Sequence, residues 1–182
     1  MRILYQTTKG NGHLSHARSQ RGFTLIELLL YIGISATLLL IISLFLGQLI
    51  SARIKNQTIA EVDQQGMQVM QLMTQVIRNA KGINAPLPGV SAPSVMLDVA
   101  PVAANPTNFD LISGMIQVTE GLGPPVALTN ARVIASALTF ENLSRAGTPG
   151  VISTVFTLTH INPEGRAEYA YEKTFYGTAS LR

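Results

Sequence analysis

An uninterrupted apolar run lies near the N-terminus of the chain. Residues 28–47 contain no charged side chain. A helix rises about 1.5 Å per residue, so a run of about 20 residues covers the hydrocarbon core of a bilayer, which is about 30 Å thick. A secretory signal would have a shorter apolar region followed by a small-residue cleavage site. We therefore expect this segment to stay in the membrane as a spanning helix.

The helical pattern continues beyond the apolar run. Residues 23–81 contain no proline and only three glycines, which predicts one long helix that ends at Lys81-Gly82. Past the membrane, apolar residues recur at spacings of three, four and seven and form one stripe: Ile59, Val62, Val69, Met70, Met73, Val76, Ile77 and Ala80. We expect the stripe to pack on the C-terminal part of the same chain. A coiled-coil dimer is the alternative, although regular heptads are lacking.

Downstream of the helix, the hydrophobic period changes to two. Residues 83–93 are rich in proline and glycine and predict a connector, and residues 121–125 predict a turn. Short strands are predicted at residues 94–99, 109–112 and 115–120. Three longer alternating segments predict an antiparallel meander at residues 132–143, 151–161 and 167–176. The residues expected to face inward in the meander are Ile134, Leu138, Phe140, Phe156, Leu158, Tyr169, Tyr171 and Phe175.

These patterns together predict the fold class. It is α+β, with a long N-terminal helix packed on a small C-terminal antiparallel β-sheet domain. The helix is expected to be transmembrane in its first half and amphipathic in its second half.

Positive charge is concentrated at the N-terminus. Residues 1–22 contain four Lys and Arg and no acid, whereas the remainder has nine Lys and Arg against ten Asp and Glu. This asymmetry predicts a cytoplasmic N-terminus and an exported C-terminal domain. The nearly neutral body argues against nucleic-acid binding, and the absence of cysteine excludes disulfides and thiolate metal sites.

One acidic residue stands inside the apolar region. Glu27 lies between Ile26 and Leu28, and the next charge is Arg53. A charged side chain at the bilayer centre costs about 2.5–3.5 kcal/mol on insertion scales. Either Glu27 lies at the headgroup boundary, where the cost is small, or its carboxylate has a partner.

The segment around Glu27 resembles a known N-terminus. A basic leader and Gly22-Phe23-Thr24-Leu25-Ile26-Glu27, followed by a long apolar run, are similar to type IV pilins and type II secretion pseudopilins. In that family, prepilin peptidase cleaves after the glycine and methylates the new N-terminus. The resemblance implies cleavage between Gly22 and Phe23 and N-methylation of Phe23. It also implies that Glu27 sets the filament register by pairing with the Phe23 amine of a neighbouring subunit.

The resemblance also implies a division of the chain and a set of partners. Residues 1–22 are a leader that is removed, 23–50 a transmembrane and polymerisation segment, 51–81 the amphipathic continuation of the helix, and 82–182 an exported β-rich domain. The leader is either long for the family, or the start codon lies further downstream. The implied partners are prepilin peptidase, other pilins or pseudopilins through the N-terminal helix, an inner-membrane assembly platform with its ATPase, and membrane lipid. Major pilins often have a helix-kinking proline in the span, and its absence here favours a minor pseudopilin.

The remaining polar residues form no recognisable catalytic set. His160 is isolated in a predicted strand, and His13 and His16 lie in the leader. Asp98, Asp110 and Glu120 lack the spacing of a calcium loop, although some pseudopilins bind calcium. Two minority hypotheses are ligand stacking by the tyrosines and a DNA-binding arginine patch, formed respectively by Tyr169, Tyr171, Tyr176 and by Arg132, Arg145, Arg166, Arg182. We expect a structural protein without enzyme activity, metal or cofactor.

A second function fits the same layout. An uncleaved single-pass protein could display the β-domain as a binding module for DNA, a surface or an exported substrate. Gly22 beside Phe23 distinguishes the two functions, because a plain anchor does not need that pair. The sequence leaves open whether the machine serves secretion, pilus assembly or DNA uptake.

Overall fold

A computed structural model describes residues 22–182, and the chain divides into two compact units, with the boundary between Phe45 and Leu46. A long helix, α1, comprises Leu25–Asn79. The strands that follow it are β1 (Ala80–Ala85), β2 (Ser91–Ala92), β3 (Val95–Val99), β4 (Thr107–Ile112), β5 (Met115–Glu120), β6 (Val126–Ala127), β7 (Val133–Asn142), β8 (Val151–His160) and β9 (Glu172–Ser180).

The start of α1 is marked by a side-chain cap. The backbone N–H of Glu27 donates to Oγ1 of Thr24 over 3.4 Å, which satisfies one of the free amides of the first turn. The helix therefore begins two residues after Phe23.

The predicted helix end at Lys81-Gly82 is wrong. The helix ends at Asn79, and the chain continues directly into β1, where Ala80 pairs with Val99 and Gly82 pairs with Asp98. The N–H of Arg182 donates to the carbonyl of Arg78, which satisfies one of the last-turn groups that a C-terminal glycine cap would otherwise serve.

Two antiparallel sheets follow the helix. Their strand orders are β1-β3-β4-β5-β6 and β2-β7-β8-β9. The predicted meander is confirmed as β7-β8-β9, and the predicted short strands correspond to β3, β4 and β5. The connector predicted at residues 83–93 is only partly correct, because its ends belong to β1 and β2.

A bulge in β7 changes which residues face inward. The β7–β8 register shifts between Ser136 and Thr139, and Ala137 between them has φ of 53°. Leu138 is buried as predicted, whereas Ile134 is 49% exposed. A strict alternation with period two cannot anticipate this change of face.

The last strand begins later than predicted. Residues 167–170 form a turn, in which the N–H of Ala170 donates to the carbonyl of Ala167, and β9 starts at Glu172. The prediction that Tyr169 shares a strand face with Phe175 is therefore wrong. The ring of Tyr169 instead stacks on His160, with 5.6 Å between the ring centroids.

Within the unit that begins at Leu46, the helix packs on the sheets through one stripe. Its buried residues are spaced four, four, three, four and four apart: Thr58, Val62, Gly66, Val69, Met73 and Ile77. Four of these belong to the predicted stripe, and they join buried residues of both sheets in one core. The prediction of packing within the chain is confirmed.

Two glycines allow α1 to approach β9 closely. A Cβ atom built on Gly66 would lie 2.0 Å from Cζ of Phe175, and one on Gly177 would lie 2.2 Å from Sδ of Met70. The Phe175 ring therefore occupies the space over Gly66, and the Met70 side chain occupies the space over Gly177. This reciprocal contact fixes the position of β9 on the helix.

Polar contacts supplement the apolar ones. Lys173 of β9 donates to Oδ1 of Asp63 over 3.0 Å, and the Lys55 ammonium donates to the carbonyl of Ala170 over 2.6 Å. The Asp63 carboxylate raises the pKa of Lys173, mainly through this hydrogen bond.

The first prediction tests the contact at Gly66. Gly66→Val inserts atoms where the buried Phe175 ring lies, so we expect it to lower the free energy of unfolding by about 1–3 kcal/mol. Gly82→Val is the matched control, because a Cβ there meets nothing closer than 3.9 Å. Urea unfolding of the detergent-solubilised chain measures both variants, and equal stability would show that the helix does not approach β9 this closely.

The second prediction concerns pH. Because the folded chain raises the pKa of Lys173, the ion pair stabilises the fold below the ordinary lysine pKa of about 10.4 and is lost at higher pH. The stability difference between wild type and Lys173→Met should therefore be constant from pH 7 to pH 9 and shrink above about pH 10. Lys81→Met, at an exposed lysine of β1, is the control. A difference that grows with pH would contradict the assignment.

Candidate processing and assembly site

The bond between Gly22 and Phe23 lies in non-helical chain immediately before α1. Phe23 is 70% exposed, and no neighbouring atom lies within 4 Å of the position of a Cβ on Gly22. The Phe23 ring lies 5.8 Å from the ring of Tyr31, measured between centroids. The bond is thus open to another protein on the part of the chain that the structure describes.

Glu27 lies in the first turn of α1 and is half-buried, while the residues on either side of it are exposed. Thr24 and Glu27 have the spacing of a capping box, in which the acid would also accept the N–H of the threonine. Only the threonine half forms: Oγ1 of Thr24 accepts the N–H of Glu27. Within the described residues, the carboxylate of Glu27 accepts no hydrogen bond and has no ion-pair partner.

The helix dipole offers Glu27 limited compensation. An acid near a helix N-terminus gains about 0.3–1 kcal/mol at an exposed site. This gain is smaller than the 2.5–3.5 kcal/mol cost of a charge at the bilayer centre. A deeply placed Glu27 therefore needs a cation, whereas a shallow one does not.

Residues 28–47 of α1 are apolar on all sides. The helix contains a stretch that is long and apolar enough to cross a membrane, and none of that stretch is buried among the described residues. Its exposed side chains include leucines, isoleucines and Phe45. The hydroxyl of Thr37 donates to the carbonyl of Gly33 over 2.9 Å, so this polar group is satisfied within the helix. A helix of this kind needs lipid or other helices around it.

The other candidates from the sequence lie in the unit that begins at Leu46. The carboxylate of Glu61 lies 3.5 Å from Arg132 and 3.7 Å from Nε2 of His160, and it accepts a hydrogen bond from Asn130 over 3.2 Å. This cluster joins the helix to the ends of β7 and β8. Since the polar groups are used in these contacts, we interpret His160 as a structural residue.

The arginines proposed as a DNA patch have different surroundings. Arg132 pairs with Glu61, and Arg166 pairs with Glu168. The backbone N–H of Glu168 and then the Arg166 guanidinium lower the pKa of Glu168, so that this pair stays ionised in mildly acidic solution. Two of the four arginines are thus neutralised by acids beside them.

The acids considered for calcium lie apart. Asp98 accepts a hydrogen bond from Asn105 over 2.8 Å, and Asp110 accepts one from Asn108 over 3.1 Å. Among residues 22–182, no group of three or more acidic or histidine side chains could hold a metal ion. His13 and His16 lie outside the described residues.

Two residues that position the site and the domain were not anticipated. The Thr24 cap has a sequence signal, because a threonine three residues before a glutamate is a known helix-start pattern. Gly66 has no comparable signal, since a glycine within a helix acquires its role only when Phe175 is brought to it by the fold.

Comparison with known families agrees with the local geometry. Residues 17–43 match the family model described as the prokaryotic N-terminal methylation motif. No curated protein and no solved structure shows significant similarity to the chain. The motif indicates a pilin-type substrate of prepilin peptidase, and its family is structural rather than catalytic. The match, together with the apolar helix, therefore supports a relationship of this chain to the type IV pilin-like family, with an N-terminus consistent with membrane anchoring.

Proposed function

We propose that the chain is a structural subunit of a type IV pilus or type II secretion pseudopilus. Prepilin peptidase cleaves it after Gly22, Phe23 is N-methylated, and the mature subunit enters a filament. The observation that carries the proposal lies within one short segment. An open Gly22–Phe23 bond precedes the helix, and the first turn of that helix presents a carboxylate without a hydrogen bond among the described residues.

Cleavage would supply the cation that Glu27 lacks. Hydrolysis of the bond leaves a carboxyl group on Gly22 and an α-amine on Phe23, whose ordinary pKa is near 7.7–8.0. The amine is mostly protonated at neutral pH, and one N-methyl group leaves it basic. Four residues of helix span about 6 Å, so the amine lies roughly one turn from the carboxylate in its own subunit.

The charge pair is proposed to form between subunits. A stagger of about one helical turn brings Glu27 of one subunit to the Phe23 amine of its neighbour. Two unit charges 4 Å apart interact by about 4 kcal/mol at an effective dielectric constant of 20. This attraction exceeds the insertion cost of one carboxylate. In any other register the acid would lie in lipid without a cation to compensate its charge. The charge pair would therefore favour the filament register in which Glu27 lies beside the Phe23 amine of the neighbouring subunit.

The location and partners follow from the same proposal. The basic N-terminus faces the cytoplasm, residues 28–47 cross the inner membrane once, and the β-domain is exported. The assembly platform with its ATPase lifts the subunit into the filament, and other pilins or pseudopilins contact it through the N-terminal helix. The absence of proline from the span supports a minor pseudopilin, because many major pilins have a helix-kinking proline there.

The third prediction concerns the processed end. The protein purified from membranes should begin at Phe23 and carry one additional methyl group, as measured by N-terminal sequencing and intact mass. Gly22→Val should leave the leader attached, because a branched side chain then occupies the cleavage position. Gly47→Ala, at a glycine in open surroundings, is the control and should be processed normally. Wild-type protein that begins at Met1 would instead support an uncleaved membrane-anchored binding module.

The fourth prediction separates processing from assembly. Glu27→Val and Glu27→Gln should both be cleaved at Gly22, yet they should be reduced at least about tenfold in sheared filament fractions, because neither can pair with the Phe23 amine. Thr37→Val, which removes another polar group from the span, is the matched control and should assemble. Normal assembly of Glu27→Gln would show that the charge does not set register.

A further inference from the structure

A groove runs between α1 and β9, in the unit that begins at Leu46. It has a volume of about 640 Å³, within the range of ordinary binding pockets. The helix side of the groove has residues spaced four, three and four apart, namely Met67, Gln71, Thr74 and Arg78. This row lies beside the buried stripe that packs on the sheet, so the groove is a direct consequence of the close approach of α1 to β9.

The groove differs in character along its length. Met67, Met70 and Phe175 form an apolar floor, and Met67 is 53% exposed. At the other end are Arg78 and Arg182, which are adjacent because the N–H of Arg182 donates to the carbonyl of Arg78. One end of the groove is therefore apolar and the other is positively charged.

The two guanidinium groups at this end are not balanced by acidic side chains. No Asp or Glu lines the groove, and neither Arg78 nor Arg182 has an ion-pair partner among residues 22–182. Residues 1–21 contain no acid that could supply one. A ligand that matches this end carries negative charge.

One wall of the groove is a free sheet edge. β9 is nine residues long and pairs only with β8 in the described part of the chain. The other edges are short or irregular: β2 and β6 have two residues each, and β1 carries Lys81 and two register shifts. Natural edges are usually protected by such features, yet residues 174–180 of β9 contain neither a charge nor a proline.

The pairing of β9 with β8 shows which backbone groups are free. Leu181 donates to the carbonyl of Gly150 over 2.8 Å, and His160 donates to that of Tyr171 over 2.9 Å. The register is regular between these points, so odd-numbered residues of β9 bond to β8 and even-numbered ones face outward. The outward amides and carbonyls are those of Tyr176, Thr178 and Ser180.

We propose that this groove binds an extended peptide segment of a partner protein, apolar at one end and acidic at the other, which adds as a strand to β9. Its backbone pairs with the free edge, its apolar side chains cover Met67 and Met70, and its carboxylates meet Arg78 and Arg182. Strand addition explains the unprotected edge, and the charge of the groove selects the partner. A nucleic acid would satisfy the arginines but cannot form a β-ladder with β9.

This binding site is independent of the filament proposal, because it lies between α1 and β9 beyond Leu46 and needs neither cleavage nor Glu27. It can be tested with the full chain in detergent micelles, whether processed or not. The probe is a blocked, fluorescent peptide of alternating valine and threonine that ends in three glutamates. The same peptide ending in three lysines is its control.

The fifth prediction has two readouts. In fluorescence polarisation, the glutamate peptide should bind at least about tenfold more tightly than the lysine peptide, and the preference should weaken as salt increases. In hydrogen exchange, the glutamate peptide should protect the amides of Tyr176, Thr178 and Ser180. The amides of Phe175 and Gly177, which already bond to β8, should not change.

Variants separate the edge from the charge. Thr178→Pro removes an outward N–H and should weaken binding at least about tenfold, whereas Thr178→Val keeps that N–H and should bind within about twofold of wild type. Arg78→Glu combined with Arg182→Glu should reverse the preference between the peptides. Arg145→Glu, at an exposed arginine outside the groove, should not. Thermal unfolding confirms that each variant is folded.

Three results would overturn the proposal. They are equal binding of the two peptides, binding without protection of the outward amides, and no binding of either peptide. Concentration-dependent self-association that protects the same amides without peptide would also overturn it, by assigning the edge to a second copy of this chain.

Discussion

The close contact of α1 with β9 determines most of the architecture beyond Leu46. Gly66 and Gly177 lack side chains at the two points where Phe175 and Met70 need space, so the helix and the strand interlock instead of resting on one another. The interlock places the helix stripe over the core shared by both sheets and leaves β9 as an edge. It also creates the groove, because residues beside the buried stripe then face the free side of that strand.

A different constraint governs the segment before Phe45. Its helix is apolar on every side, so no packing pattern within it selects a particular neighbour or depth. Glu27 is the one Asp, Glu, Lys or Arg among residues 23–45, and its carboxylate accepts no hydrogen bond from Thr24. Apolar packing alone allows helices to slide past one another at little cost, whereas an acid in lipid distinguishes one register from all others. In the proposed filament, a residue that is unfavourable in the monomer would therefore serve to set the register.

The two parts of the chain were predictable to different degrees. The helix and the meander depend on local patterns and were predicted correctly as elements, and the resemblance from Gly22 to Glu27 is supported by the matched motif. The errors arose where residues distant in the sequence determine the local structure. Gly82 follows a lysine as a helix-capping glycine does, but the pairing of β1 with Val99 and Asp98 places it in a sheet. The positions of Ile134 and Tyr169 depend on a bulge and on a stacking partner, and neither is visible in a period of two.

The difference between local and long-range patterns also explains why the family match covers the N-terminus and not the remainder of the chain. A processing enzyme reads residues near Gly22 in order along the chain, so their recognition requires no folded context, and the matched motif ends at residue 43. The edge of β9 is different, because Tyr176, Thr178 and Ser180 face outward only through their register with β8. A surface of this kind depends on backbone position more than on residue type, so it can diverge in sequence while its shape is retained. The part of the molecule that distinguishes this chain from others with the same N-terminal motif is therefore the geometry of the unit that begins at Leu46.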